Sequence, residues 1–260
     1  HYYKLVKELW TFHEKELSML STSYFYFLNA IEEKKGDEIR KESGLEVLRS
    51  MMKTDPRLPG YELKEDTFHQ KNETIGIIYN TSSIQFKTDL SIADPTLKPD
   101  YIMPLDSGWV RNPRKYTIKI HETDVTIIAW HAPFTNHDSR WMQLNNLKTE
   151  RDKLKGDVII VGDLNIDGDK LKNNYEMTLL KDLAKEDVKA NPNTDHGNDT
   201  SIVSLHLDKG TTFAKETRSC YDHILMLKCD KFKGGTGEIL AGDKGVSDHK
   251  PLFRVFTKNR

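Results

Sequence analysis

Two short segments in the second half of the chain place polar groups capable of chemistry directly after apolar runs. His131 follows an apolar run that ends at Trp130, and Asp163 and Asn165 follow the run at residues 158–161. Carboxylate and amide oxygens suit a hard cation such as Mg²⁺, and the amide NH₂ group can also bind a phosphate. Asp163 and Asn165 would project to the same side if the chain remained extended between them.

Two later segments repeat this arrangement. Asp222 opens an apolar run at residues 221–228, and Asp248 and His249 stand just before the last apolar run. An aspartate beside a histidine supplies both a metal ligand and a group that titrates near neutral pH. Each segment alone also fits an ordinary turn, a structural histidine or a strand edge. The ordered set of four segments is more specific than any one of them. Each segment places a histidine or a carboxylate at a predicted strand end, where ligands of α/β proteins bind.

Apolar spacing predicts an alternation of helices and strands that could position these groups. Helices are predicted at residues 2–20, 38–52, 140–155 and 176–183. Strands are predicted at residues 24–31, 61–63, 74–79, 116–120, 124–130, 157–161, 221–228 and 252–256. No linker, break in composition or internal repeat interrupts the pattern, so we predict one α/β domain over residues 1–260. The polar stretch at 189–199 is predicted to be a surface loop.

The composition is typical of a soluble globular protein, with 37% hydrophobic and 30% charged residues among 260. The net charge of −1 excludes a protein-wide positive field, so any phosphate-binding surface must be a local patch. Cys220 and Cys229 lack the spacing of a zinc site, and fit either a disulfide or two small buried residues. No apolar run reaches the roughly 18 residues of a membrane span.

The ordered motifs resemble those of the endonuclease/exonuclease/phosphatase superfamily, and within it the DNase I group. The matching elements are a strand-ending histidine (His131), Gly-Asp-x-Asn at residues 162–165, Asp222 before a late strand, and Ser-Asp-His at residues 247–249. The resemblance covers residues 20–256. It implies an α/β fold, a four-layer αββα sandwich, and a metal-dependent phosphodiesterase.

The same resemblance implies a division of catalytic roles. His131 and His249 would act as general acid and base, in an order that the sequence leaves open. Glu73, which precedes an apolar strand as in the family, would orient His131, and Asp222 would orient His249. A general acid or base of this kind typically contributes about 10²–10⁴ in rate.

The resemblance also implies how the phosphate and the cation are held. Arg111, which precedes another predicted strand, matches the family's phosphate-contacting arginine, and Asn165 would share this task. Asp163 and Asp248 would place Mg²⁺, with Ca²⁺ or Mn²⁺ as alternatives. Magnesium favours a few carboxylates with retained waters, which suits so sparse a ligand set.

Two departures from the family pattern affect the expected activity. No strand carrying the family's first asparagine precedes the first predicted helix, so we expect that strand to be missing. Ala30 stands at the position of a metal-binding glutamate in the register of residues 27–31, and alanine cannot bind a cation. The chain is then a natural inactive relative or an engineered inactive form, unless a shifted register lets Glu32 or Glu33 substitute.

We therefore expect a monomeric endonuclease that acts on DNA with little sequence preference. A phosphatase or phosphodiesterase acting on inositol phosphates or sphingomyelin is the same-fold alternative, and an inactive binding protein is an alternative of another class. Relatives of the DNase I type are often secreted, so a secreted or cell-surface location is favoured. The basic residues that could face DNA are Lys34, Lys35, Arg40, Lys41, Arg111, Arg114 and Lys115.

Overall fold

The computed structural model describes part of the chain, in two compact units. The described residues are 25–31, 49–50, 52–56, 59–65, 73–87, 113–134, 137–166, 175–184, 221–228, 230–239 and 252–258. The first unit comprises residues 1–99 and 119–121, and the second comprises residues 100–118 and 122–260. The single domain predicted from the sequence stays a prediction. No helix in the described part of the chain is long and apolar enough to cross a membrane.

The first unit contains an antiparallel sheet with β3 (Glu73–Asn80) between β1 (Phe25–Ile31) and β2 (Tyr61–Glu65). A short strand, β4 (Ile84–Phe86), follows β3, and residues 49–50 and 52–54 are helical. The centre of β3 is buried, as its run of isoleucines predicts, because β-branched side chains pack well on a pleated surface.

Tyr79 links β3 to β2 through its side chain. Its hydroxyl donates a hydrogen bond of 2.7 Å to Glu62 Oε2. Burial raises the pKa of the Tyr79 phenol well above its ordinary value, and the hydrogen bond to the Glu62 carboxylate and its charge add to this effect. The phenol therefore stays a proton donor, and its bond adds a side-chain contact to the backbone ladder between the two strands.

The second unit contains four strands that are neighbours in one sheet, in chain order. They are β5 (Arg114–Ile120, of which residues 114–118 belong to this unit), β6 (Thr123–Ala129), β7 (Asp157–Asp163) and β8 (Asp222–Lys228). β6 pairs with β7 in parallel, and β7 pairs with β8 antiparallel. Two further strands, β9 (Phe232–Ile239) and β10 (Leu252–Lys258), form an antiparallel pair.

Two helices pack with this sheet in one apolar core. They are α1 (His137–Arg151) and α2 (Tyr175–Leu183). The core cluster contains Ile128 of β6, Ile160 of β7, Leu144 and Leu147 of α1, and Leu180 and Leu183 of α2. Consecutive residues of β6 and β7 are largely buried, so both strands are covered on both faces, and most of these residues are apolar. The carboxyl ends of β6 and β7 are therefore anchored by a packed core.

Most predicted elements are confirmed, with exceptions that have local causes. The helix predicted at 140–155 begins at His137 and ends at Arg151, where Lys153 and Leu154 instead donate backbone bonds to residues three positions earlier. Trp130 follows β6 and is not its last residue. The strands β4 and β9 were not predicted, since neither has a clear apolar alternation. The predictions at 2–20, at most of 38–52 and at 189–199 fall outside the described residues.

A buried carboxylate fixes the turn between β8 and β9. Asp157, the first residue of β7, is fully buried and accepts hydrogen bonds from the backbone N–H groups of Asp230, Lys231 and Phe232, at 2.7–3.1 Å. Three N–H donors compensate the desolvation of the charge, which would otherwise be costly. Asp157 of β7 therefore stabilises the turn between β8 and β9.

Replacing Asp157 with alanine should destabilise the protein. We expect Asp157→Ala to lower the free energy of unfolding by about 2–4 kcal/mol, because bonds to a charged acceptor contribute about 1.5–3 kcal/mol each and are not additive. Urea denaturation followed by circular dichroism measures this. The exposed Asp230 serves as the matched control, and equal stability of Asp157→Ala and Asp230→Ala would contradict the role of Asp157.

Candidate active site

Three chain segments that carry polar groups meet at one edge of the sheet of the second unit. β6 and β7 are parallel, so both end at this edge, and β8 begins there because it is antiparallel to β7. His131 lies two residues beyond β6, Asp163 is the last residue of β7, and Asp222 is the first residue of β8. Asp163 and Asp222 are cross-strand partners, so their side chains share a face of the sheet.

Gly162 allows the chain segments after β6 and β7 to approach closely. Its φ is 137°, and a Cβ atom at this position would lie 2.2 Å from the carbonyl oxygen of Trp130. On either side of this contact, Trp130 donates a backbone bond of 3.0 Å to Val161, and Ala132 donates one of 2.8 Å to Asp163. His131 is therefore held between two backbone hydrogen bonds, directly beside Asp163.

The His131 imidazole faces the Asp163 carboxylate. Nε2 of His131 lies 3.6 Å from Oδ2 of Asp163, and the two side chains are 15% and 11% exposed. At this distance the carboxylate attracts a protonated imidazole in a part-buried environment, where charges are screened less than at the surface. The sequence predicted Glu73 as the partner of His131; the side chain of Glu73 lies outside the described residues, so that pairing stays a prediction.

Asn165 reaches the site through a turn rather than through an extended chain. Oδ1 of Asp163 accepts a hydrogen bond of 2.8 Å from the Asn165 N–H, and Asn165 has a φ of 51°. The chain is therefore not extended from Asp163 to Asn165, and the ordinary turn that the sequence also allowed is the one observed. An aspartate that captures the N–H two residues later forms a turn, and asparagine tolerates the left-handed conformation that results.

The turn still brings the Asn165 amide to the end of β6. Its Nδ2 donates a hydrogen bond of 2.7 Å to the carbonyl oxygen of Ala132. This bond uses one of the two amide hydrogens and fixes the plane of the group. The second hydrogen and the amide oxygen are then the groups with which Asn165 would contact a phosphate or a cation.

The donor set fits a hard cation in its chemistry. Asp163, the predicted ligand within the described residues, carries carboxylate oxygens of the kind that Mg²⁺ and Ca²⁺ prefer, and the Asn165 amide oxygen is of the same kind. Within the described residues there is no cluster of three His, Cys, Asp or Glu side chains that could hold an ion. Asp248, the other predicted ligand, lies outside the described residues, so its contribution to a metal site stays a prediction.

Two buried polar residues that sequence reasoning missed support this edge. Arg140 of α1 is 1% exposed, and its Nη1 donates hydrogen bonds to the carbonyl oxygens of Pro133 and Phe134, the latter at 2.6 Å. His223 is also buried, with Nε2 2.9 Å from the carbonyl oxygen of Ile166. In sequence, an arginine in a helix indicates a solvated face and a histidine in a strand indicates little, so neither residue could be singled out.

Other predicted positions lie elsewhere in the chain. In the first unit, Ala30 pairs with Thr74 and Ile31 pairs with Glu73, so Ala30 and Glu73 occupy the same end of the β1–β3 pair. Among the predicted basic residues, Arg114 and Lys115 are half-buried on β5. The predicted positions outside the described residues are Glu32, Glu33, Lys34, Lys35, Arg40, Lys41, Arg111, Asp248 and His249.

The comparisons with known proteins reveal similarity in structure and not in sequence. No family model matches the chain, and no curated protein matches it either. TDP2 of D. rerio, solved with a single-strand DNA product, has a TM-score of 0.56 at 16% identity, over 90% of this chain and 85% of that one. A mannosyl-6-phosphatase of Bacteroides thetaiotaomicron has a TM-score of 0.52 at 16% identity, over 82% of each chain.

A third solved structure carries the family name that the motifs indicated. The endonuclease/exonuclease/phosphatase of Bacteroides vulgatus has a TM-score of 0.55 at 14% identity, over 83% of this chain and 80% of that one. Identities this low establish the fold alone. The predicted resemblance is confirmed at that level: the chain has the α/β, DNase I-like fold of these proteins.

Adding one methyl group at Gly162 should disrupt the site. We expect Gly162→Ala to lower the free energy of unfolding by at least about 1–3 kcal/mol, because the backbone is strained and Cβ collides with the Trp130 carbonyl. Gly60→Ala is the control, since Gly60 also has a positive φ but a Cβ there meets only Thr81 Oγ1, at 3.8 Å. If chemical denaturation gives both variants the same loss, the close approach at Gly162 is not required.

Removing the Arg140 side-chain charge should loosen the segment that carries His131. We expect Arg140→Met to speed hydrogen exchange at the amides of residues 130–132 and 134 by about tenfold or more, because loss of a charged donor costs about 1.5–3 kcal/mol. Arg151→Met is the control: Arg151 is also buried in α1, but its Nη1 donates to the Leu183 carbonyl oxygen. Faster exchange at these amides in both variants would mean general loosening of α1 and not a local role of Arg140.

Proposed function

We propose that this chain is a divalent-metal-dependent phosphodiesterase that hydrolyses DNA by general acid/base catalysis involving histidine. The observation that carries the proposal is the convergence of His131, Asp163, Asn165 and Asp222 at one sheet edge. This edge holds a proton carrier, two carboxylates and an amide, the groups that phosphodiester hydrolysis needs. A purely structural role would not require so many polar side chains beyond the ends of buried strands.

Structural neighbours support the substrate class. The D. rerio TDP2 structure holds a single-strand DNA product, and the Bacteroides thetaiotaomicron neighbour is a mannosyl-6-phosphatase. DNA and a mannosyl 6-phosphate are both phosphate esters, although the alcohols esterified to the phosphate differ. DNA is our first candidate because the DNase I-type motifs of the sequence agree with it, and a sugar phosphate is the second candidate because of the phosphatase neighbour.

In the proposed reaction, a water molecule attacks the phosphorus and the P–O bond to a sugar oxygen breaks. One histidine accepts the proton of the attacking water, and the other gives a proton to the leaving oxygen. His131 is part-buried and rigidly held, so it would transfer its proton with little reorganisation. Its partner is His249, which Asp222 orients in the proposal, with Glu73 as the orienting partner of His131.

Asn165 and Arg111 would bind the phosphate oxygens in this reaction and stabilise the charge that develops there. A bound magnesium ion, held by Asp163 and Asp248, would polarise a phosphoryl oxygen. The fixed Asn165 amide, which Ala132 orients, needs no rearrangement when the substrate arrives. Such preorganised dipoles contribute more to the rate than groups that must first reorient.

The alanine at position 30 determines how much activity we expect from this chain. Its position is at the end of β1 beside the start of β3, where Glu73 also lies, so a glutamate at residue 30 would share an end of that sheet with Glu73. An alanine there removes the carboxylate that the family pattern supplies. We therefore propose that the chain as given cleaves slowly, and the inactive binding protein remains the alternative of another class.

A plasmid-nicking assay tests the proposal. With Mg²⁺, Ala30→Glu should nick supercoiled plasmid at least about tenfold faster than the unaltered chain, since even outer-shell metal partners are worth about 10- to 100-fold. EDTA should abolish nicking. In the Ala30→Glu background, His131→Ala should lower the rate by about 10²–10⁴ and Asp222→Asn should lower it similarly, while the exposed Asp230→Asn leaves it unchanged.

The outcomes separate the candidates. Release of phosphate from mannose 6-phosphate without nicking would favour the sugar phosphate. DNA binding without cleavage by either the unaltered chain or Ala30→Glu would favour the binding protein. Equal nicking by the unaltered chain and Ala30→Glu would show that residue 30 is not the metal position and would redirect attention to Glu32 or Glu33.

A further inference from the structure

An exposed aromatic ring lies on the chain segment that directly follows His131. Phe134 is 61% exposed, the largest exposure among the large hydrophobic side chains of the described residues. Its ring contacts Tyr221, with the centroids 6.2 Å apart and the planes at 81°, an edge-to-face arrangement. Tyr221 immediately precedes Asp222. The aromatic pair therefore spans two of the chain segments that supply the candidate active site.

The backbones that carry both rings are tied to the site. The Phe134 carbonyl oxygen accepts a hydrogen bond of 2.6 Å from the buried Arg140, and the Tyr221 carbonyl oxygen accepts one of 2.9 Å from the Leu164 N–H. Leu164 lies between Asp163 and Asn165. Phe134 is consequently presented to solvent from a fixed backbone, and its conformation is prepared before any ligand arrives.

The ring geometry leaves an aromatic surface open. In an edge-to-face pair, one ring offers its edge to the other's face, so neither ring covers both faces of its partner. With 61% of Phe134 exposed, an open face lies within four residues of His131 along the chain. A single exposed apolar side chain is common on protein surfaces. Here, though, it is rigidly held and adjoins a site whose proposed substrate carries flat aromatic groups.

We propose that Phe134, supported by Tyr221, stacks on an unpaired nucleobase of the substrate next to the phosphate that is cleaved. This deepens the function proposed above and rests on it. A base inside a duplex has both faces covered by its neighbours, so the subsite selects single-stranded DNA or a frayed strand end. Phosphate esters without a base, such as sugar phosphates, gain nothing from it. The subsite therefore determines specificity and takes no part in proton transfer.

The nearby helix offers a competing use of the same surface. Trp141 and Met142 of α1 are also exposed, and they directly follow the Arg140 that binds the Phe134 carbonyl. The three side chains could form a contact surface for another protein. The edge-to-face support by Tyr221 and the position beside His131 favour a base, because a protein contact would need neither.

The test measures binding to two single-stranded oligonucleotides of the same length and charge, in EDTA so that no cleavage occurs. One carries 2-aminopurine, whose fluorescence is quenched when it stacks, among ordinary nucleotides; the other has tetrahydrofuran abasic residues at all positions. Phe134→Leu keeps the apolar volume and removes the ring, and Phe134→Tyr keeps the ring. Val255→Ala, at an exposed apolar residue of β10, is the matched control.

Stacking predicts a loss specific to the base. Phe134→Leu should weaken binding of the base-containing oligonucleotide by about 5- to 150-fold and abolish the quenching, while abasic binding changes by less than about twofold. Phe134→Tyr and Val255→Ala should behave like the unaltered chain. Equal losses on both oligonucleotides, or no loss on either, would overturn the proposal, as would unaltered protein that does not prefer the base-containing strand.

The same variants distinguish failure of the subsite from failure of the proposed function. If quenching depends on Phe134 but no variant, including Ala30→Glu with Mg²⁺, cleaves either plasmid or single-stranded DNA, the stacking site stands and the hydrolytic function is wrong. If Ala30→Glu cleaves DNA and neither quenching nor cleavage depends on Phe134, the function stands and the subsite is wrong.

Discussion

The backbone hydrogen bonds between β6 and β7 continue past the end of β6, along the last residues of β7, and the candidate site depends on this continuation. Trp130 and Ala132 donate to Val161 and Asp163, which extends the parallel ladder by two steps beyond Ala129. A chain end that leaves a sheet normally gains freedom at once. Here His131 stays in register with its neighbour, and the absence of a side chain at Gly162 is the steric condition for it.

Buried polar groups extend this rigidity to the surrounding turns. Arg140 binds carbonyl groups after β6, His223 lies against the Ile166 carbonyl after β7, and Asp157 binds N–H groups after β8. Each side chain satisfies backbone atoms that a turn leaves without secondary-structure partners. A turn held in this way loses little entropy when a ligand binds, which suits a site whose groups must be positioned before the substrate arrives.

The rigid backbone at this end of the sheet fixes the contacts of the polar side chains there. Asp163 serves two neighbours at once, with Oδ1 accepting the Asn165 N–H and Oδ2 facing His131. The Asp163 carboxylate therefore both stabilises the turn and places a negative charge beside the His131 imidazole. The ordinary-turn interpretation of Gly-Asp-x-Asn is confirmed, and the functional interpretation stays a prediction; the two are compatible, because the turn is what places the Asn165 amide against Ala132.

The sequence by itself determined most of the strands and singled out His131, Asp163, Asn165 and Asp222 as candidate site residues. Buried strands need long β-branched runs, and polar residues directly after such runs stand out because a core would not tolerate them. The motifs then indicated the DNase I-like fold, which the structural comparisons confirmed. Prediction failed for helix ends and for the glycine-rich β9, where apolar periodicity carries no information.

Only the tertiary structure decided which groups meet and in what geometry. The partner found beside His131 is Asp163, brought there by parallel strand pairing, and the partner of Phe134 is Tyr221, 87 positions later in the chain. The supporting roles of Arg140 and His223 likewise depend on carbonyl groups elsewhere in the chain. Local patterns report the environment of a residue averaged over one element, whereas a hydrogen bond between elements depends on atomic distances that only packing fixes.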